Sequence, residues 1–355
     1  MHLSNNLVLK KVIVFYILLT ISGAITATDY YVSSAGDDIK NNGLSSSTPW
    51  KTIAKVNSVF AGLKAGDRVL FRCGDVFYGT VNISRSGISG FPITIGSYGT
   101  GGKPVITGFK TPVSWTNTGD GIYSASLNCE SAPEMVTING IQYALGRWPN
   151  SEVWPTTQTW ASIDSFSGVT SITDSELGTT GINWTGAELV VRNSNRNRIS
   201  IYPITNQSGN TITFSEGTTA YPIAANWGYF IQNDKRTLDK FGEWYYDPDN
   251  SIFFMFFGSE NPDNFFVNVA TLDNLITIDR SSLYCIIEDI VLTGVNKIAI
   301  NGSGYNHNSI IRNCDINYCG FTGIYTFNST GLKITDCHID HCNDNAICIL
   351  DDCEG

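Results

Sequence analysis

The chain has 355 residues, of which 15% are charged and 34 are glycine, and a formal net charge of −10. That length holds a large core or a long solenoid, and the sparse charge and abundant Gly are those of a turn-rich all-β protein. The acidic balance argues against nucleic acid, whose binding rests on Lys and Arg neutralising phosphates, and disfavours a polyanionic substrate unless a cation bridges the two.

Residues 1–27 read as an export signal. Lys10 and Lys11 precede the apolar run from Val12 to Leu19, about half the length that a membrane span needs. Ser22-Gly23-Ala24 and then Ala27 place cleavage between 24 and 28. The alternative is an uncleaved anchor. The expected localisation is secreted, periplasmic or cell-surface, with no membrane association after cleavage.

Residues 28–110 read as an N-terminal cap and the first turns of a solenoid. Asp29 to Val32 is a first strand. The polar loop from Ser33 to Ser47 reads as a turn rather than a calcium loop, because it lacks a spaced ligand set. Thr48 as N-cap and Pro49 at the first position predict a short helix with Trp50, Ile53, Ala54 and Val56 following, placed to cover the solenoid's open end. Short strands follow: Val69 to Arg72, Phe77 to Ile83, Ile93 to Tyr98 and Pro104 to Phe109, with a step of 24 from Val69 to Ile93.

From residue 111 to 272 the period is lost, and the stretch reads as an inserted β-rich subdomain on the solenoid's flank. Asn139-Gly140 predicts a hairpin turn. Trp244 to Tyr246 and Ile252 to Phe256 predict a second hairpin around Asp247-Pro248-Asp249-Asn250. Trp148, Trp154, Trp160, Trp184 and Trp227 lie in this stretch.

Residues 273–355 carry the repeat. IEDIVL from Ile287, IRNCDI from Ile311 and ITDCHI from Ile334 stand 24 and then 23 positions apart. A period in the low twenties with short β-branched strands marks a solenoid whose turns bury their faces only on one another. Seven of the nine Cys fall after residue 284. Stacking sets Cys314 over Cys337 and Cys319 over Cys342, so reduced core ladders are expected rather than disulfides. The chain stops within a repeat, which predicts a truncated sequence.

The run YYVSSAGDD…NNG…STPWKTI…AGDRVLFRCGDVFYGTV resembles the cap and first turn of secreted right-handed parallel β-helix proteins of the pectin-lyase-like superfamily. INGIQYALGRWPN and LDKFGEWYYDPDNSIFFMF are similar to two segments of a subset that includes β-helix glycoside hydrolases of fucosidase and xylosidase type. The resemblance covers nearly all of the mature chain. It implies an all-β, right-handed parallel β-helix with a capping helix and an inserted β-rich subdomain, acting on a polysaccharide or oligosaccharide. A monomer is expected when full length.

Alternation along the repeat strands turns Ile290/Cys314/Cys337 and Leu292/Ile316/Ile339 inward and Val291/Asp315/His338 and Thr293/Asn317/Asp340 outward. Two carboxylates within several ångströms suit work on a glycosidic bond. The candidate catalytic residues are therefore Asp315, Asp340 and His338, with Asp344 as an outside candidate beside Asp351 and Asp352. Plain solvated surface is the competing account for each of them. Arg147, Trp148, Asn317 and Tyr318 are candidates for substrate contact. Asp289/Asn313/Asp336 read as a structural ladder at a left-handed turn. Ligand count around His338, Asp340 and His341 argues against a metal site. No cofactor is expected, calcium being the alternative. The outward columns offer no Lys or Arg, which counts against a polysaccharide lyase or uronate epimerase. A non-catalytic sugar-binding solenoid or adhesin is a third reading.

Overall fold

The computed structural model describes residues 26–150, 159–193, 198–215, 217, 219–280 and 282–350. Residues 1–25 of the stretch read as an export signal, Trp154, Asp351 and Asp352 lie outside the described residues. Among the described residues no helix is long and apolar enough to cross a membrane.

Three parallel sheets form the solenoid. Sheet 1 stacks Asp29–Val32, Arg68–Arg72, Ile93–Tyr98, Cys285–Glu288, Ile310–Arg312 and Lys333–Thr335. Sheet 2 stacks Val76–Tyr78, Val105–Thr107, Val291–Val295, Asp315–Cys319 and His338–Ile339. Sheet 3 stacks Val81–Ile83, Asn274–Ile278, Ile298–Tyr305, Thr322–Phe327 and Ile347–Leu350. The interior is filled by apolar columns: Val69, Ile95, Ile287 and Ile311 from sheet 1, Ile106, Leu292 and Ile316 from sheet 2, Val81, Ile276 and Ile300 from sheet 3. Cys314 and Cys319 are buried as free thiols in the same core.

The corner between sheets 1 and 2 is one tight turn repeated. Asp289, Asn313 and Asp336 have φ of 58, 49 and 55°, a region that short polar side chains tolerate and β-branched ones do not. The Asn313 Nδ2 donates to the Asp289 carboxylate at 2.6 Å across one rung. On the sheet 1 face Glu288 and Arg312 form a similar rung-to-rung pair, with Arg312 Nε donating at 2.7 Å.

Two local expectations need correction. The helix is Ile53–Phe60 with Thr52 as N-cap, its side chain accepting from the Lys55 N–H at 3.1 Å. Pro49 and Trp50 precede it because Trp50 is held by backbone hydrogen bonds to Tyr31 and Ser33, as a bridge beside the first strand. The segment read as one strand from Phe77 to Ile83 breaks at Gly79, φ 144°, and its halves belong to sheets 2 and 3.

The insertion replaces a single corner between sheets 2 and 3. The chain leaves after Val105–Thr107 and returns at Asn274–Ile278. The turn then resumes in register: Ile95 pairs with Ile287, Ile106 with Leu292 and Ile83 with Ile278. Phe109–Lys110 and Val267–Ala270 are antiparallel neighbours, so the two ends of the insertion lie together. Val267–Ala270 continues into Val136–Ile138 and Ile141–Gln142, whose turn has Asn139 and Gly140 at φ 51 and 79°, the left-handed pair that a two-residue hairpin requires. Beyond this root lie two cores. One gathers Trp244, Phe253, Met255 and Phe257; the other gathers Trp184, Tyr229, Phe214 and Ile231.

Candidate functional site

The outward face of sheet 2 carries the polar columns. Asp315 stands beside His338 on the next rung. Its carboxylate is paired with Lys103 Nζ at 3.0 Å. Lys103 reaches the patch from the turn before Val105–Thr107, outside the repeat columns, so this face carries a cation although its outward columns offer none. Asn317 accepts from the Thr293 hydroxyl at 2.5 Å on the rung below. Asp340 is flanked by two imidazoles, His338 Nε2 at 3.1 Å and His341 Nδ1 at 2.9 Å.

The next column is conformationally distinct. Gly294, Tyr318 and His341 have φ of 71, 55 and 48°. A left-handed conformation costs a side-chain-bearing residue about 1–2 kcal/mol, and bulky residues that keep it are held there by their surroundings. At Gly294 the reason is contact, since a Cβ would fall 2.1 Å from the Phe109 ring. One rung up, Tyr318 packs near Phe109 (6.0 Å between ring centroids) and donates its hydroxyl to the Gly140 carbonyl at 2.7 Å. His341 lies against the Tyr318 ring at 4.8 Å. Tyr318 is thus clamped under the insertion's hairpin.

Around the corner the insertion docks on three successive rungs. Glu134 donates its N–H to the Asn296 side chain at 3.3 Å, and its carbonyl accepts from Asn343 Nδ2 at 3.0 Å. Gln142 Nε2 donates to Asn343 Oδ1 at 2.7 Å. Gly320 lies between these rungs because a Cβ there would meet the Asn296 carbonyl at 2.1 Å and the Glu134 Cβ at 2.6 Å. Asp344 follows Asn343 directly. Its N–H donates to the Phe321 carbonyl at 2.9 Å, and its carboxylate accepts from Asn345 Nδ2 at 2.7 Å. Glu134 is exposed, yet protein surrounds much of its carboxyl. Lost hydration, and then the charge of Glu188, push its pKa up against the opposing pull of Lys297. Glu188 itself is oriented by Gln232 and Asn233, each donating at 3.0 Å.

Asp315, Asn317, Tyr318, His338 and Asp340 therefore form a polar strip along sheet 2 and its edge, and Asp344 lies beyond it, next to the Asn343 that meets the insertion. Arg147 and Trp148 serve the insertion's own packing. The Arg147 guanidinium is buried 3.7 Å from the Phe230 ring centre and donates to the Pro149 carbonyl at 3.0 Å and to the Thr159 carbonyl. Trp148 stacks on Trp184 at 6.1 Å and 29°. Lys103 and Glu134 were missed by sequence reading, because neither shares the repeat's spacing and only the folded corner brings them to the strip.

Residues 263–355 match the right-handed β-helix region family. Over 85 residues the chain is 44% identical to a lacto-N-biosidase of Bifidobacterium longum subsp. longum, a stretch that is 23% of this chain and 5% of that protein. Among solved structures, one described as a glycoside hydrolase superposes with a TM-score of 0.68 at 15% identity, over 87% of this chain and 65% of that one. A xylose complex of XylC gives a TM-score of 0.47 at 16% identity, over 89% and 54%. The fold is a right-handed parallel β-helix. The chain spans a small part of the curated relative and less than two thirds of either solved chain.

Proposed function

We propose that this chain is part of an exported β-helix glycoside hydrolase acting on a polysaccharide or oligosaccharide, with its site where the insertion meets the corner of sheets 2 and 3. The local 44% identity to a lacto-N-biosidase carries this reading, and the presence of Glu134 and Asp344 on the two sides of the junction agrees with it. Glycosidic cleavage needs one carboxyl to protonate the leaving oxygen and a second to attack the anomeric carbon or activate water. Glu134, its pKa raised by lost hydration and by Glu188, suits the proton donor, a role that a raised carboxyl pKa favours. Asp344, fixed by Asn345 on the adjoining turn, suits the second carboxylate. Asp340 with its two imidazoles, Asn317 and Tyr318 would line the approach to them.

The test is reducing-end release from neutral oligosaccharides by the wild type and by Asp344→Asn. A loss of at least 100-fold in kcat with the fold intact is expected; unchanged turnover in Asp344→Asn would sink the assignment. The lyase or epimerase reading is favoured by one observation, the Lys103–Asp315 pair, which brings to this face a lysine, a residue type that such chemistry uses. It predicts products with ultraviolet absorbance from a new double bond on uronate substrates, sensitive to a chelator if calcium takes part. Export is tested by mass spectrometry of the mature N-terminus, expected between residues 24 and 28.

A further inference from the structure

A groove of about 690 Å³ lies on the outer face of sheet 1, at the N-terminal end of the solenoid and on a different face from the junction. Its floor is the outward column Asp29, Arg68 and Thr94 on three successive rungs. Tyr31 and Leu44 line it from the cap, and Phe91 lines it from the turn before the third strand. The volume falls in the range of ligand sites, about 300–1,000 Å³.

The floor is organised without being used up. Arg68 Nε and Nη2 bind the two Asp29 oxygens at 2.7 and 2.6 Å, a bidentate pair that fixes both planes. The arginine side chain is 49% exposed and the aspartate side chain 29%, so unused guanidinium N–H groups and carboxylate lone pairs still face the groove. A paired acid and base present donors and acceptors side by side with no net charge. That pattern matches vicinal hydroxyls rather than an anion or a cation, either of which would have to break the pair. The aromatic elements are placed to accept an apolar face: Phe91 is 40% exposed, and Tyr31 is braced edge-on by Tyr98 at 5.0 Å. Leu44, 53% exposed, extends the same wall. A flat ligand with hydroxyls on its edges and C–H groups on its faces is complementary to both halves.

We infer that this groove is a second, non-catalytic binding site for a neutral saccharide chain, which holds polymeric substrate on the sheet 1 face. The ligand class rests on the carbohydrate reading above; the groove does not. The site would raise the local concentration of a polymer at the junction by tethering it, which is an effect of effective concentration and needs no new contact at the reacting bond.

The experiment is isothermal titration of the full chain with cellohexaose, xylohexaose and mannohexaose, with hexagalacturonate as the charged comparison. Phe91→Ser removes an exposed ring and spares the core. Arg68→Gln keeps one donor and removes the fork. Binding of at least one neutral hexasaccharide is expected, weakened tenfold or more by each variant, unchanged in Asp344→Asn, and weaker for the hexagalacturonate. Hydrolysis of a short soluble substrate should be unchanged in Phe91→Ser, while turnover of polymer falls. Neutral saccharide binding that survives both variants, or no binding by any hexasaccharide, overturns the inference. Hydrolysis by a chain whose groove variants change nothing would retain the enzyme and reject the groove. Groove binding without hydrolysis would do the reverse.

Discussion

Glu243 is buried inside the insertion, where it accepts the Asp239 and Lys240 N–H groups at 3.1 Å each. Burial outweighs those bonds and pushes its pKa up to about 7. Burial likewise brings the neighbouring Arg147 guanidinium down to about 10, against the pull of Glu243. For Glu243 the sign is that of a folded-state pKa above the unfolded one. Below pH 4.5 the carboxyl is protonated in both states and costs nothing. As pH rises from 4.5 to 7 only the unfolded chain releases the proton, so stability falls. Above 7 the loss is complete, at about 3 kcal/mol. Thermal melting should therefore move to lower temperature between pH 5 and pH 8, and Glu243→Gln should flatten that slope; an equal slope in the variant would place the dependence elsewhere. Glu134 makes a kinetic prediction at the same scale. If it is the proton donor, Glu134→Gln removes the alkaline limb of the kcat/KM profile and lowers activity by about 100-fold or more, whereas a purely structural role leaves the limb in place. The outward placement of Asp315 and Asp340 was legible because a fixed repeat converts sequence position into face. Glu134 was not, because its meaning comes from a contact with Gly320 that no local pattern encodes.

The corner between sheets 1 and 2 shows how one residue type repeated at one position builds an element. Asn313 holds φ 49° and bonds to Asp289 one rung below. Asn313→Ala should cost about 1–2 kcal/mol, because Ala loses the hydrogen bond and resists the left-handed region. Asn313→Gly should cost less than half of that, since Gly keeps the backbone state; urea denaturation of the two variants gives the comparison. Equal losses would mean that the side-chain ladder, and not the backbone conformation, sets the turn. The strands of these rungs were readable from period and alternation. Thr48-Pro49 is a helix start signal in the sequence, but the helix begins four residues later, after Thr52. The pairing of Trp50 with Tyr31 and Ser33 keeps that stretch out of the helix, and that is a tertiary contact.

At the scale of the whole molecule the insertion is an appendage with its two ends joined. Lys110 and Val269 are paired across antiparallel strands, so a tight turn replacing residues 111–268 should leave the solenoid's register intact. The expected product keeps a β-sheet circular dichroism spectrum and a cooperative melt but loses hydrolysis, because Glu134, Gly140 and Gln142 leave with the insertion. A shortened chain that fails to fold would show that the second and third turns need the insertion to meet. The break in period revealed that something was inserted; that it occupies one corner of one turn became visible only in the pairing of Ile95 with Ile287.

That pairing also fixes an order of events in synthesis. The Cys285 thiol faces the Arg85 carbonyl, 200 positions earlier in the chain. The first turns therefore emerge with an uncovered upper edge that stays uncovered while the whole insertion is made. Contacts between distant positions form slowly because the intervening loop must first be closed. An insertion that folds early brings its own ends together and removes most of that loop. Slowed or misfolded insertion variants should accumulate as aggregates joined through the waiting N-terminal edge, even when every residue of the solenoid is unchanged.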